Sequence, residues 1–81
     1  SEVRVSLDLD KLSTFQLSPL AVADALQREG ADVPIGAVQS GGRRFNVTAT
    51  GPFDSLDEIR KTVLRSAGGS TLTVGDVADV E

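Results

Sequence analysis

Val3-Arg4-Val5-Ser6-Leu7-Asp8-Leu9-Asp10 is the stretch on which the reading of this chain turns. Val3, Val5, Leu7 and Leu9 point one way, and Arg4, Ser6, Asp8 and Asp10 the other. A strict period of two predicts a strand over Glu2 to Leu9, with one face in the core and one in water. The strand runs through Lys11-Leu12-Ser13-Thr14-Phe15-Gln16-Leu17 into Ser18-Pro19. Asp10 is placed to cap a short helical turn through Leu12. Ser18 then reads as an N-cap, and Pro19 as the first helical residue, where a missing N–H costs nothing. Pro19, Val22, Ala23 and Leu26 form an apolar stripe at helical spacing, and Gly30 ends the helix in a left-handed conformation.

Beyond that helix, Val33 to Gln39 reads as a second strand, weakened by Pro34 and Gly36. Ser40-Gly41-Gly42-Arg43 is a hairpin turn. With Gly41 and Gly42 central, Val38 faces Phe45, Gly36 faces Val47 and Pro34 faces Ala49. A third strand spans Arg44 to Thr50. Ser55-Leu56-Asp57-Glu58 has the spacing of a capping box, which starts a second helix running to about Ser66 and burying Leu56, Ile59, Val63 and Leu64. A last strand begins at Thr71, with Gly75 at a bulge or bend and apolar positions resuming at Val77 and Val80.

The expected order is β-α-β-β-α-β, an α+β two-layer sandwich. A four-stranded, mostly antiparallel sheet carries two helices on one face. In the split βαβ plan the first and last strands are antiparallel neighbours, so the chain ends lie side by side, as an inserted module requires. Leu7, Val22, Leu26, Phe45, Val47, Ile59, Val63, Leu72 and Val74 are the expected core.

Composition narrows function sharply. The 81 residues make one domain and include no His, Cys, Met, Trp or Tyr, so common nucleophile–base pairs and soft metal ligands are missing. A net charge of −4 offers no basic footprint for nucleic acid, and it suits an anionic membrane surface poorly. No stretch approaches the ~20 apolar residues of a spanning helix. The absence of cysteine excludes a disulfide framework.

Candidate chemistry is sparse. Asp8 and Asp10, joined by Asp76, Asp79 and Glu81 if the last strand pairs with the first, could gather round a divalent cation; the polar half of an amphipathic sheet explains them as well. Arg43, Arg44 and Asn46 invite comparison with acylphosphatase-like enzymes, which share the element order. In that family a phosphate cradle follows the first strand, where this chain has Asp8-Leu9-Asp10, which repels an anion. Gly68-Gly69-Ser70 and Ser40-Gly41-Gly42 lead into strands rather than helix N-termini, and so are turns, not nucleotide sites. Asn46-Val47-Thr48 matches a glycosylation sequon inside a strand. No catalytic, cofactor-binding or metal-binding residue is assigned.

Several strings, in order over the whole chain, resemble the resistance-nodulation-division (RND) efflux transporters. Val3-Arg4-Val5 through Asp10-Lys11-Leu12 is similar to their strand and "D-x-D-K-L" turn. Phe15-Gln16-Leu17-Ser18-Pro19 and Val22-Ala23-Asp24-Ala25-Leu26-Gln27 resemble the family's "L-[ST]-P-x-x-V-x-x-A-[LI]-[RQ]" helix. Val33-Pro34-Ile35-Gly36 with Ser40-Gly41-Gly42-Arg43 resembles its hairpin. Phe53-Asp54-Ser55-Leu56-Asp57-Glu58-Ile59 and Leu72-Thr73-Val74-Gly75-Asp76-Val77-Ala78-Asp79-Val80 resemble its later helix start and strand.

The resemblance, closest to the hydrophobe/amphiphile multidrug branch, implies that residues 1–81 are one docking-type subdomain excised from a larger transporter, the N-terminal half of its docking region. It implies an interaction element and not an enzyme, without cofactors. It places the chain in the periplasmic portion of a bacterial inner-membrane protein, a trimeric antiporter that exchanges protons for drugs. Neighbouring protomers, a periplasmic adaptor and an outer-membrane channel are the implied partners, and contact with the membrane comes only through segments absent here. The hairpin from Val33 to Phe45 is shorter than the long arm of the best-known enterobacterial pumps. Ile35, Ala37, Gln39, Ser40, Gly41, Gly42, Arg43 and Arg44 are its candidate interaction residues, on a tip expected to be exposed and mobile until a neighbouring protomer orders it. The lack of Met, Cys and His weighs against the metal-exporting branch. The alternative is a free-standing ferredoxin-like ligand-binding or regulatory domain.

Overall fold

The computed structural model describes residues 2–34 and 39–81. Strand β1 (Glu2–Asp8) leads directly into helix α1 (Leu9–Thr14), and α2 (Pro19–Arg28) follows. Then come β2 (Gln39–Gly41), β3 (Arg44–Thr50), α3 (Leu56–Arg60), β4 (Val63–Arg65), β5 (Thr71–Thr73), α4 (Val74–Val77) and β6 (Ala78–Val80). The class is α+β, and the paired strands are antiparallel throughout.

The main sheet has the order β2-β3-β1-β6, and β4 and β5 form a separate two-stranded hairpin. β1 is central because its alternation is cleanest: Val3, Val5 and Leu7 are buried, while Glu2 and Arg4 are exposed. It pairs along its whole length with β3, setting Val5 opposite Val47 and Leu7 opposite Phe45. Its other edge takes β6, and the ladder continues through reciprocal Arg4–Glu81 backbone hydrogen bonds of 2.7 and 2.9 Å. The two ends of the chain therefore lie side by side, as the split βαβ plan requires.

The helices start and stop for local reasons. The Asp8 carboxylate accepts hydrogen bonds from the Asp10 and Lys11 N–H groups and caps α1; the cap expected at Asp10 thus lies two residues earlier, and the helix runs on past Leu12. Ser18 Oγ accepts from Ala21 N–H, with Pro19 at the first helical position. Gly30, at φ 96°, closes α2 in a Schellman motif: its N–H reaches Gln27 O, and Ala31 N–H reaches Leu26 O. α1 ends the same way through Gln16 N–H to Ser13 O and Leu17 N–H to Leu12 O, but Gln16 takes the left-handed position at φ 56°.

The second half departs from the expected single helix and single strand. α3 stops at Arg60, and Val63–Arg65 extends instead and pairs with Thr71–Thr73. Period two replaces period 3.6, so Leu64 is buried at 2 % exposure while Val63 is 51 % exposed and leaves the expected core. Leu56, on the rim of α3, is also exposed. Ser55 makes no side-chain cap bond, and the Glu58 carboxylate accepts instead from Asp54 N–H at 2.8 Å. The capping-box pairing belongs instead to Thr73 and Asp76, at the start of α4, where the Asp76 carboxylate accepts from the Thr73 N–H and hydroxyl. Gly75 lies inside α4, where an added Cβ would stand 3.3 Å from Arg60 O; close approach of α3, not a bulge, calls for glycine there.

The core is aliphatic. Val22 and Leu26 from α2, Leu12 from α1, Ile59 from α3, and Val74 and Val77 from α4 join the inward residues of β1, β3 and β6. Leu7, Val47 and Leu72 are buried as expected, and Phe45 packs half-buried at the edge of this cluster.

Candidate functional site

The hairpin of β2 and β3 was singled out by sequence. Its observed register places Ser40 opposite Phe45 and Gly41 opposite Arg44, so the central turn residues are Gly42 and Arg43. The expected register, Val38 opposite Phe45, is displaced by two positions. The reason is conformational. Only Gly42, at φ 59°, takes a left-handed conformation, while Gly41 stays in the strand. A turn with one such residue, a glycine at its first central position, is the type II′ pattern; a type I′ turn centred on both glycines would need two.

Of the candidate interaction residues, Ile35 and Ala37 lie outside the described residues, as do Gly36 and Val38 of the expected register. Gln39 and Ser40 are placed by their backbone pairing with Asn46 and Phe45. Pro34 is in no strand; instead Asp32 bridges Thr50 through reciprocal hydrogen bonds of 2.8 and 2.7 Å, out of register with the ladder at Gln39–Gly41. Gly41, Gly42, Arg43 and Arg44 are exposed.

Both arginines already have partners within the chain. Arg43 meets Asp10 at 3.1 Å, and its carbonyl accepts from Leu9 N–H at 2.9 Å, fastening the turn to the first turn of α1. Arg44 lies across β1, 3.4 Å from Asp79 on β6, and donates to Ser6 O. Arg4 stands 3.9 Å from Glu81. The outer face of the sheet is thus an array in which arginines alternate with Asp10, Asp79 and Glu81. The carboxylates that sequence could gather into one acidic group are spread out: Asp8 and Asp76 cap helices, and the others sit beside arginines. These pairs are exposed, the Arg43 side chain to 84 %, so each adds at most about 1 kcal/mol to stability. Among the described residues no group of His, Cys, Asp or Glu could hold a metal ion. No helix among them is long and apolar enough to cross a membrane.

The arrangement can present a charged, polar surface and a short hairpin. Among the described residues it brings together no nucleophile and base. Sequence reasoning set the last strand beside the first but did not find the pairings of Asp10 and Asp79 with the arginines, because those depend on the registers of β3 and β6 against β1 and on the hairpin register.

A family model described as the AcrB/AcrD/AcrF family matches residues 1–81, the entire chain. The chain belongs to that family. This is the RND transporter family that the strings along the chain resemble. Among its relatives, the cobalt-zinc-cadmium resistance protein CzcA of Cupriavidus metallidurans is 30% identical over 77 residues, 95% of this chain and 7% of the relative. The cation efflux system protein CzcA of an Alcaligenes strain matches with the same figures. Protein HelA of Legionella pneumophila is 28% identical over 79 residues, 98% of this chain and 8% of that protein. The chain therefore spans less than a tenth of the length of these relatives. Family membership does not single out the hydrophobe/amphiphile branch.

Proposed function

We propose that this chain is a periplasmic docking and trimer-contact subdomain of a proton-driven RND efflux pump, with no transport chemistry of its own. The observation that carries the reading is the family match over every residue, in a fold where Arg4, near the start, and Glu81 are hydrogen-bonded neighbours. A module inserted into a larger body needs adjacent ends. A free-standing ferredoxin-like domain has adjacent ends as well, so the family match is what favours the pump reading over it. The partners are neighbouring protomers of a homotrimer, a periplasmic adaptor and an outer-membrane channel, and the contacting element is the hairpin of β2 and β3 with Arg43 and Arg44.

The proposal is tested in the full-length pump by replacing residues 2–81 with a short Gly-Ser linker that joins the adjacent ends. The expected result is a pump that still inserts in the membrane but loses trimer cross-links, co-purification with the channel, and efflux. Full assembly and efflux without the segment would refute the reading.

A second reading of the cargo has its own support. The multidrug branch was favoured by sequence strings and by the absence of His, Cys and Met. Two relatives are instead named for cobalt-zinc-cadmium resistance and cation efflux. Divalent cations are then the alternative cargo, selected by parts of the pump outside this chain. Resistance of an efflux-deficient host carrying the full-length pump decides between them. Protection against zinc, cobalt and cadmium but not against amphiphilic drugs supports the cation reading; the converse supports the drug reading.

A further inference from the structure

Strand β6 forms one edge of the main sheet. Its pairing with β1 fixes which backbone groups point outward. Arg4 and Glu81 exchange hydrogen bonds, and Ser6 lies opposite Asp79, so residues 79 and 81 direct their N–H and C=O groups toward β1. By antiparallel alternation, Ala78 and Val80 direct theirs to the open side. An open edge of this kind is a template for another strand. One of the outward groups is taken: the Arg60 guanidinium donates to Val80 O at 3.2 Å. The side chain is held in place, since it also meets Asp57 at 3.1 Å and its residue packs against Gly75.

We infer that Arg60 and Asp79 close the β6 edge against strand addition by a second copy of this chain. The geometry of the excluded pairing singles out that occupant. Two β6 strands meeting antiparallel about a two-fold axis at Asp79 set Ala78 of each opposite Val80 of the other, so the outward groups match one another. Half of the hydrogen bonds of that pairing require the Val80 carbonyl that Arg60 occupies. The same pairing places the two Asp79 carboxylates directly opposite each other on the outer face, which repels; each stays 3.4 Å from its own Arg44, an exposed pair that offsets only part of the repulsion. Each residue therefore blocks the same symmetric pairing by a separate mechanism. Arg60 does so by occupying an acceptor, and Asp79 by its charge.

Sedimentation of the 81-residue chain from micromolar to millimolar concentration tests this, with folding followed by circular dichroism. The native chain is expected to remain a monomer. Arg60→Met keeps the packing stem and removes the donor, and Asp79→Asn removes the charge. Each is expected to tighten self-association about tenfold, and the double variant more than either. In the dimer, the Ala78 and Val80 amides should exchange with deuterium more slowly than in the native chain. Folded single and double variants that sediment as the native chain does would overturn the inference. If Arg60→Met does not fold, Asp79→Asn alone decides, because its side chain is exposed; no increase in association overturns the inference. A dimer in which the β6 amides exchange as they do in the monomer would also overturn it.

Discussion

Gln16 shows how one residue can serve a structural role at a conformational cost. It occupies the left-handed position that closes α1, a place that Gly30 fills in α2. A side chain there costs about 1 kcal/mol or more, part of which glycine would return as chain entropy. Gln16→Gly is therefore expected to stabilise the chain by roughly 0.5 kcal/mol, seen as a higher urea midpoint. A lower midpoint would show that the Gln16 side chain contributes something its exposed position does not explain. The two turn glycines make a sharper comparison. A Cβ at Gly41 or Gly42 meets nothing within 4 Å, so any difference between them is one of backbone conformation. Gly42→Ala should cost about 1 kcal/mol more than Gly41→Ala. Equal losses in parallel melts would favour the turn centred on both glycines.

Elements with several agreeing signals were legible in the sequence. α2 has a capping serine, a proline at its first position, an apolar stripe and a terminal glycine, and the structure keeps each. β1 and β3 alternate over seven residues each, long enough for period two to be unambiguous. The region from Leu56 to Leu72 was not legible. Leu56, Ile59 and Val63 fit a helical stripe as well as they fit a short helix followed by a strand, and β4 and β5 are three residues each. Among the candidate site residues, glycines and arginines marked the turn, but the partners of Arg43 and Arg44 follow from the registers between strands, which no local spacing encodes. Stability separates these elements. Leu26 is fully buried between α2 and the sheet, so Leu26→Ala should cost roughly 2–5 kcal/mol in urea melts. Val63→Thr, on the exposed side of β4, should fall within about 0.5 kcal/mol of the native chain. A large loss at Val63 would restore it to the core, where the helical reading had placed it.

At the scale of the whole molecule, the chain is a small aliphatic core beneath a sheet whose outer face is charged and compensated, with both ends at one corner. That design suits a module held within a larger body and contacting its neighbours through polar groups. The intrachain pairs add a condition to the proposed contact: a neighbouring protomer must draw Arg43 from Asp10 and Arg44 from Asp79, or must accept them while they remain paired. Exposed pairs worth so little are readily exchanged. The most direct measurement is the trimer fraction of the full-length pump, by cross-linking, in two charge-swapped variants. Arg43→Glu with Arg44→Glu removes both the intrachain pairs and any contact with the neighbour. Adding Asp10→Arg and Asp79→Arg restores the intrachain pairs in reversed sense and leaves the contact broken. A reduced trimer fraction and reduced resistance are expected in both variants. Full recovery in the second would show that the arginines act only within their own chain, and an unchanged trimer in the first would remove the hairpin from the interface altogether.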